Sequence, residues 1–333
     1  MSQNQTTFRL TGERTSIQAL QQHTEQIPIP SKHGMLFKVH SVSLNYRDHA
    51  VATSKHPFPV KDKVVPCSGA AGVAVQVGDA VKNFTEDDHV VGSFDPTNLY
   101  GQMTDWSSGQ GGPADGVLRE YVVIPAAAAA KRSFSEWSTL VCTGVMVWNA
   151  LYGNLPLRPG QSVLCLGTGG VSITGLILAK AAGATTIITS SSEEKLALVK
   201  SQIGADHRIN YKTHPEWSKE VLKLTNGEGV DYIIESGGSG AIKESLDAVK
   251  MGGTVSVVGF LSAAAKSELP DVASLALTKA AFVRGITIGS TQLLEDVVRF
   301  VAQIGLHLLV KREFGITMAS RSRIGKVRIK VSE

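Results

Sequence analysis

The sequence predicts an α/β protein: a doubly wound parallel sheet joined to a smaller β-rich domain. Three observations predict it. Residues 162–195 read as one strand–turn–helix–strand unit with its glycines at the first turn. Helix and strand patterns then alternate as far as residue 259, the rhythm of a parallel sheet. Before residue 125 the chain breaks into short strands punctuated by Gly and Pro, the habit of a small barrel or sandwich. A chain of 333 residues has room for both domains.

Composition removes several classes of function. With 43% hydrophobic and 19% charged residues the chain can bury large cores. Its net charge of +4 is scattered, with no basic block or aromatic-basic stripe, which argues against nucleic acid as a partner. No apolar run reaches the length of a membrane span. The polar first residues lack the basic and apolar regions of a signal peptide. Three cysteines, Cys67, Cys142 and Cys165, predict no disulfide framework and a reducing compartment, hence a cytoplasmic protein.

In chain order, residues up to about 35 are too weakly patterned to predict an element. Residues 35–44 alternate as a strand, and the polar cluster Asn45-Tyr46-Arg47-Asp48-His49 follows it, where functional groups often sit. The Gly- and Val-rich residues 64–78 and the short run 88–92 add strand-like segments. Residues 95–116 form a long polar loop of the kind that covers a pocket. Residues 118–124 return to strand pattern, and the alanine tract 126–130 reads as a connector. Ser133 and Glu136 fit a capping box ahead of a helix through Trp148 and Leu151. Beyond residue 195, helices are expected at 193–203, 217–225, 241–249 and 293–304. Strands are expected at 207–211, 230–235, 253–259 and 326–331.

The residues of the 162–195 unit have a chemical rationale. In Gly167-Thr168-Gly169-Gly170-Val171-Ser172, Gly167 permits the tight turn and Gly169 lets a pyrophosphate approach the backbone. Ser172 is small enough for close helix–strand packing where a third glycine often stands. The helix N-terminus then offers free N–H groups and a positive dipole end to phosphates. At the tip of the second strand, Ser190-Ser191-Ser192 stands where an NAD binder usually has an acidic residue. Hydroxyls with Lys195 one turn further on suit a 2′-phosphate, so NADP(H) is favoured over NAD(H). Glu193 and Glu194 are open to two readings: they reach back to a ribose, or they stabilise the next helix as first-turn acids.

These residues, with Leu118-Arg119-Glu120-Tyr121 and the closing Gly325-Lys326-Val327, resemble the medium-chain dehydrogenase/reductase superfamily from about Phe37 onward. Within it the sequence is most similar to the zinc-independent, quinone-oxidoreductase-like branch, beside alcohol dehydrogenase-like members. The resemblance implies a GroES-like catalytic domain over residues 1–125, completed by 305–333, and a Rossmann domain over 126–304. It implies that Lys195 and Tyr211 hold the 2′-phosphate alongside Ser190 and Ser191. With Thr143, Gly167, Thr168, Gly169, Gly170, Val171, Gly259, Phe260, Leu261 and Gly289, these make up the expected cofactor site.

The same resemblance speaks to metal. Zinc-dependent members supply Cys, His and Cys, with Glu beside the His. The matching positions here are Asn45, Ser68, Cys142 and Gly69, a set that cannot hold zinc. The four clustered cysteines of a structural zinc lobe are also missing between Cys67 and Cys142. Without a metal, hydrogen bonds must polarise the carbonyl, which points to conjugated carbonyls or quinones as substrates. Asn45, Tyr46 and Asp48 are the candidate catalytic residues. Tyr46 is read either as a proton donor or as a structural tyrosine, and Arg47 as a phosphate or interdomain contact. His49 and His89 are read as ordinary histidines.

Two segments are shorter than the family pattern, at residues 125–137 and 314–323, and both implied roles lie in closing the catalytic domain on the cofactor domain. Three readings follow: a zinc-free NADPH-dependent reductase, expected to be a homodimer; an NAD(H)-using alcohol dehydrogenase-like enzyme; and a cofactor-binding protein without catalysis.

Overall fold

The computed structural model describes residues 3–131, 135–314 and 326–331. They divide into two compact units. The first holds Met1–Val145, residues from Ile288 and the C-terminal strand; the second is essentially Met146–Thr287. By their contacts, residues 126–145 and 288–304 go with the first unit. Packing explains this. The strand at Ala129–Lys131 pairs within the first sheet, and the helix Thr291–Gln303 packs on it and on the turn Leu140–Gly144.

In the first unit, β1 (Asn4–Leu10) and β2 (Leu20–Gln26) form an antiparallel hairpin. β3 (Gly34–Leu44) is the central strand and leads into helix α1 (Tyr46–Ala52). β4 (Gly69–Val77), β5 (His89–Gly92), β6 (Tyr121–Pro125) and β7 (Ala129–Lys131) follow. β3 pairs with both β4 and β6, β4 with β5, and β5 with β7. Two register shifts bend β3 against β4, and the strands come very close there. A Cβ at Gly72 would lie 1.9 Å from the Lys38 carbonyl oxygen, so only glycine fits. Met35, Phe37, Val39, Val42, Leu118, Val122 and Ile124 fill the core. Each such large side chain contributes roughly 1.5–3 kcal/mol by leaving water.

The second unit opens with α2 (Val145–Tyr152), whose first residue still belongs to the first unit. Then β8 (Ser162–Cys165), α3 (Gly170–Ala181), β9 (Thr185–Ser190), α4 (Glu193–Ile203) and β10 (His207–Asn210) build one half of a sheet. α5 (Trp217–Leu224), β11 (Val230–Glu235), α6 (Ile242–Ala248), β12 (Val249–Val257), α7 (Val272–Lys279) and β13 (Phe282–Gly285) build the other. All pairings are parallel, in the order β10-β9-β8-β11-β12-β13. That order reverses direction between β8 and β11, which creates a crevice at their carboxyl ends. The apolar runs predicted as buried strands are buried: Val163, Leu164, Ile187, Ile188, Ile233 and Ile234 are fully enclosed.

After β13 the chain returns to the first unit with α8 (Thr291–Gln303), β14 (Val310–Phe314) and β15 (Lys326–Lys330). β15 pairs antiparallel with β3 and parallel with β14.

Several expectations change. The first 35 residues carry the β1–β2 hairpin, pinned by Arg9, which bonds Glu25, Asp115 and the Lys63 carbonyl. The alanine tract is no connector: Ala126, Ala128, Ala129 and Ala130 are buried, and the last two belong to β7. Small side chains are what lets β7 close against β5. The 95–116 loop is pinned rather than open, because Asp115 takes bonds from the Val65 N–H and from Arg9 and Lys61. Ser133 of the expected capping box, the shortened 315–321 segment and Gly325 lie outside the described residues. Among the described residues no helix is long and apolar enough to cross a membrane.

Candidate functional site

The turn from β8 into α3 has the backbone geometry expected of an anion-binding turn. Gly167 has φ +78°, a left-handed conformation that favours glycine, and its N–H bonds the Thr189 hydroxyl at 3.1 Å. Gly169 is the N-cap of α3 and no side chain caps the helix. A Cβ at Gly167 or at Gly169 would meet nothing within 4 Å, so open space lies against the backbone of both. Gly170, Val171 and Ser172 form the first turn, where unbonded N–H groups and the helix dipole favour a phosphate. The Ser172 hydroxyl donates to the Leu166 carbonyl at 2.5 Å, which locks the turn. The close-packing role belongs to Gly175: a Cβ there would lie 2.6 Å from Ile234 Cδ1 and 3.1 Å from Cys165 Sγ.

The tips of β9 and β10 bring together the residues expected to choose the dinucleotide. Ser190 pairs with Asn210, and the Tyr211 N–H bonds the Ser190 carbonyl at 3.0 Å. Ser192 caps α4 by accepting from the Lys195 N–H. Ser191 is exposed and Tyr211 is 37% exposed. Lys195 is half-buried and forms no ion pair with any described residue. Glu193, one of the two acids left open by the sequence, accepts from Asn210 Nδ2 at 2.6 Å. Asn210 has no sequence signature for this task; only the register of β9 and β10 reveals it.

Further along the same sheet edge, Gly259 must be glycine because a Cβ would lie 2.5 Å from the Ser236 carbonyl oxygen. Phe260 and Leu261 follow it with 49% and 58% exposure. Glu235 ends β11, fully buried, and was not anticipated. Its carboxylate accepts from the N–H groups of Gly237 and Gly238 and from the Ser245 hydroxyl, which shapes the 236–238 turn. Burial nonetheless pushes its proton affinity above the usual carboxylate range, against the three hydrogen bonds.

The first unit holds the remaining candidates. Asn45 and Thr143, distant in sequence, meet: the Thr143 hydroxyl donates to Asn45 Oδ1 at 3.3 Å. Asn45 Nδ2 donates to the Ser43 carbonyl at a long 3.4 Å. Asp48 is fully buried, and its Oδ2 accepts from the Asn45 N–H at 2.7 Å, the bond that closes the start of α1. Tyr46 is exposed at 39%, with its ring 6.3 Å from that of His49. Gly289 lies just before Ser290, the N-cap of α8. Thr143 and Gly289 belong to the first unit, the other expected cofactor residues to the second.

Zinc can be tested against these side chains. At the positions where a metal would need Cys, His, Cys and Glu, the chain has Asn45, Ser68, Cys142 and Gly69. Among the described residues no three of His, Cys, Asp or Glu cluster to hold a metal ion. The donor set does not fit zinc.

Comparison with known proteins agrees with the architecture. Residues 31–133 match the family model described as alcohol dehydrogenase GroES-like domain, and residues 170–303 match that described as zinc-binding dehydrogenase. A zinc-type alcohol dehydrogenase-like protein of Schizosaccharomyces pombe is 38% identical over 92% of this chain and 94% of its own length. A provisionally named quinone oxidoreductase of the same organism is 28% identical over 76% of this chain and 70% of its own. Among solved structures, a provisionally named alcohol dehydrogenase from Sinorhizobium meliloti 1021 superposes with a TM-score of 0.89 at 33% identity, covering 99% of both chains. The chain is an oxidoreductase, and it belongs to the medium-chain dehydrogenase/reductase superfamily.

Proposed function

We infer that the protein reduces conjugated carbonyls or quinones with NADPH and without zinc. One observation carries the reading: a dinucleotide turn occurs in a chain whose residues at the metal-ligand positions are Asn45 and Ser68. NADPH, when bound, supplies the hydride that adds to the carbon β to the carbonyl, leaving an enolate to be protonated. The chain's residues do the rest. The first-turn amides from Gly170 to Ser172, with Thr168 beside them, take the pyrophosphate. Ser190, Ser191, Lys195 and Tyr211 take the 2′-phosphate, while Asn210 occupies Glu193. Thr143, Gly259, Phe260, Leu261 and Gly289 complete the cofactor contacts that the family resemblance assigns.

Thr143 holds the Asn45 amide through its oxygen, and Nδ2, which donates to the Ser43 carbonyl at 3.4 Å, is the group proposed to turn to a substrate oxygen. Tyr46, exposed beside it in sequence, is the proton donor, and Asp48 positions the Asn45 backbone. Three buried cysteines, none in a disulfide, support a cytoplasmic setting. A homodimer is supported by β13, a sheet-edge strand with Leu269, Leu277 and Phe282 exposed around it.

The NAD(H)-using alternative rests on Glu194, an exposed acid in the first turn of α4 that could turn to a ribose hydroxyl. Titration with NADPH and NADH, followed by turnover on enones and quinones, separates the readings. Tighter NADPH binding with enone or quinone reduction is the expected result. NADH preference with alcohol oxidation would establish the alternative, and binding without turnover a non-catalytic protein.

A further inference from the structure

Arg47 is a buried cation that makes no hydrogen bond within the described chain, and the adjacent Asp48 favours its charge only through space. Arg47 is the second residue of α1, and its Nε, Nη1 and Nη2 are all buried without a hydrogen-bond partner. Arg14 and Arg119 each leave one buried nitrogen unbonded; Arg47 leaves all three. The guanidinium lies over the Phe94 ring, 4.9 Å from its centroid. Gly112 makes room for it, since a Cβ there would come within 2.6 Å of Nη2. An aromatic face offsets only part of the cost of burying a cation. The neighbouring Asp48 has already committed Oδ2 to the Asn45 N–H.

Two more buried donors near this group lack partners. The Trp106 ring packs 5.9 Å from that of Phe94, and its Nε1–H bonds nothing. The Ser68 hydroxyl, next to Cys67, bonds nothing either. Cys67 itself interacts electrostatically with Arg47 and has φ +69°, which a non-glycine residue adopts only when its surroundings impose it. Here the surroundings are identifiable. The Val117 N–H bonds the Cys67 carbonyl at 3.1 Å, and Gly111 and Gly116 press on the same residue where a Cβ would not fit. The result is a rigid, donor-rich wall lined by the tilted rings of Phe58, Trp106 and Phe94.

We propose that Arg47, with Ser68 and Trp106, binds a carboxylate on the substrate, so that the enzyme acts on carbonyl compounds that also carry an acid group. The proposal rests on the reductase reading and names the substrate class for it. A guanidinium stacked on a ring presents its edge, and that edge matches both oxygens of a planar carboxylate. The apolar rings beside it suit the organic body of such an acid better than a hydrated phosphate.

The test uses a matched pair, 3-benzoylacrylate and its methyl ester, with NADPH as reductant. Wild type is expected to show the higher kcat/KM for the acid. In Arg47→Met the acid-to-ester ratio should collapse by about 10- to 100-fold, with Arg47→Lys between the two, because lysine keeps the charge and loses the fork. Equilibrium binding of benzoylacrylate, read by tryptophan fluorescence, gives a second readout independent of turnover. Binding that depends on Arg47 without any reduction would sink the reductase reading and leave the carboxylate site standing. An unchanged ratio in Arg47→Met, or a wild type that prefers the ester, would overturn the site. So would a weaker NADPH dissociation constant in Arg47→Met, which would assign the guanidinium to a cofactor phosphate. The unliganded melting temperature should rise in Arg47→Met, as expected when an unpaired buried charge is removed; a fall would mark a structural arginine.

Discussion

At the scale of a single residue, the proposed cofactor preference rests on Lys195. It stands in the first turn of α4, its N–H bonded to the Ser192 hydroxyl, with no ion-pair partner among the described residues. A charge-assisted bond to a phosphate is worth roughly 1.5–3 kcal/mol, so Lys195→Ala should weaken NADPH by about 10- to 150-fold. NADH lacks the phosphate and should bind almost as before. Isothermal titration of both cofactors checks this, and equal losses would reduce Lys195 to a surface lysine. Glu235 makes a different kind of prediction. Its carboxyl is held above the ordinary range by burial, so the folded protein binds this proton more tightly than the unfolded chain. Its contribution is therefore present at low pH and is lost as pH rises from the ordinary glutamate range through the folded value. Glu235→Gln keeps an oxygen for the Gly237 and Gly238 N–H groups and removes the titration. Denaturant unfolding across pH should show the wild type losing stability relative to Glu235→Gln over that window. A wild type that gains on the variant there would contradict the assignment.

Elements differed in how plainly the sequence announced them. The strands of the parallel sheet are apolar on both faces, because helices cover both sides, and such runs are visible without tertiary information. The glycine turn between β8 and α3 was equally visible, since Gly167 has a left-handed φ of +78° that favours glycine. Segments whose order comes from elsewhere stayed hidden. β2 alternates only weakly and its hairpin depends on Arg9 reaching Asp115, over a hundred residues away. α7 buries no residue at all, so no apolar stripe marks it. The alanine tract had no pattern, because small residues fit β7 only once β5 is known. Of the proposed site, the glycines and the serine tip are positions a sequence motif can mark; Asn210 on Glu193 and the unbonded guanidinium of Arg47 are products of register and burial. The tract supplies a test. Ala129→Leu overfills the core beside β5 and should cost about 1–3 kcal/mol. Ala127→Leu, on the exposed side, should stay within about 0.5 kcal/mol. Chemical denaturation compares the two, and equal, small effects would return the tract to the status of a connector.

On the scale of the whole molecule, the second unit carries the groups proposed for the dinucleotide phosphates, and the first carries Asn45, Tyr46 and Arg47. The edge around β13 exposes apolar side chains, with Leu277 82% exposed. Pairing of β13 with its copy would cover it. Light scattering should give twice the chain mass, and Leu277→Glu should shift it toward the single chain; a wild type that is monomeric at micromolar concentration contradicts the dimer. The account as a whole stands on hydride transfer without a metal, since Asn45 and Ser68 replace zinc ligands and hydrogen bonds must do the polarising. The most direct measurement is the rate of NADPH-dependent enone reduction by protein purified without added metal, taken before and after exhaustive dialysis against a chelator. The account predicts the same rate in both samples and no stoichiometric zinc in either. A rate that vanishes with the chelator and returns with one zinc per chain would contradict it.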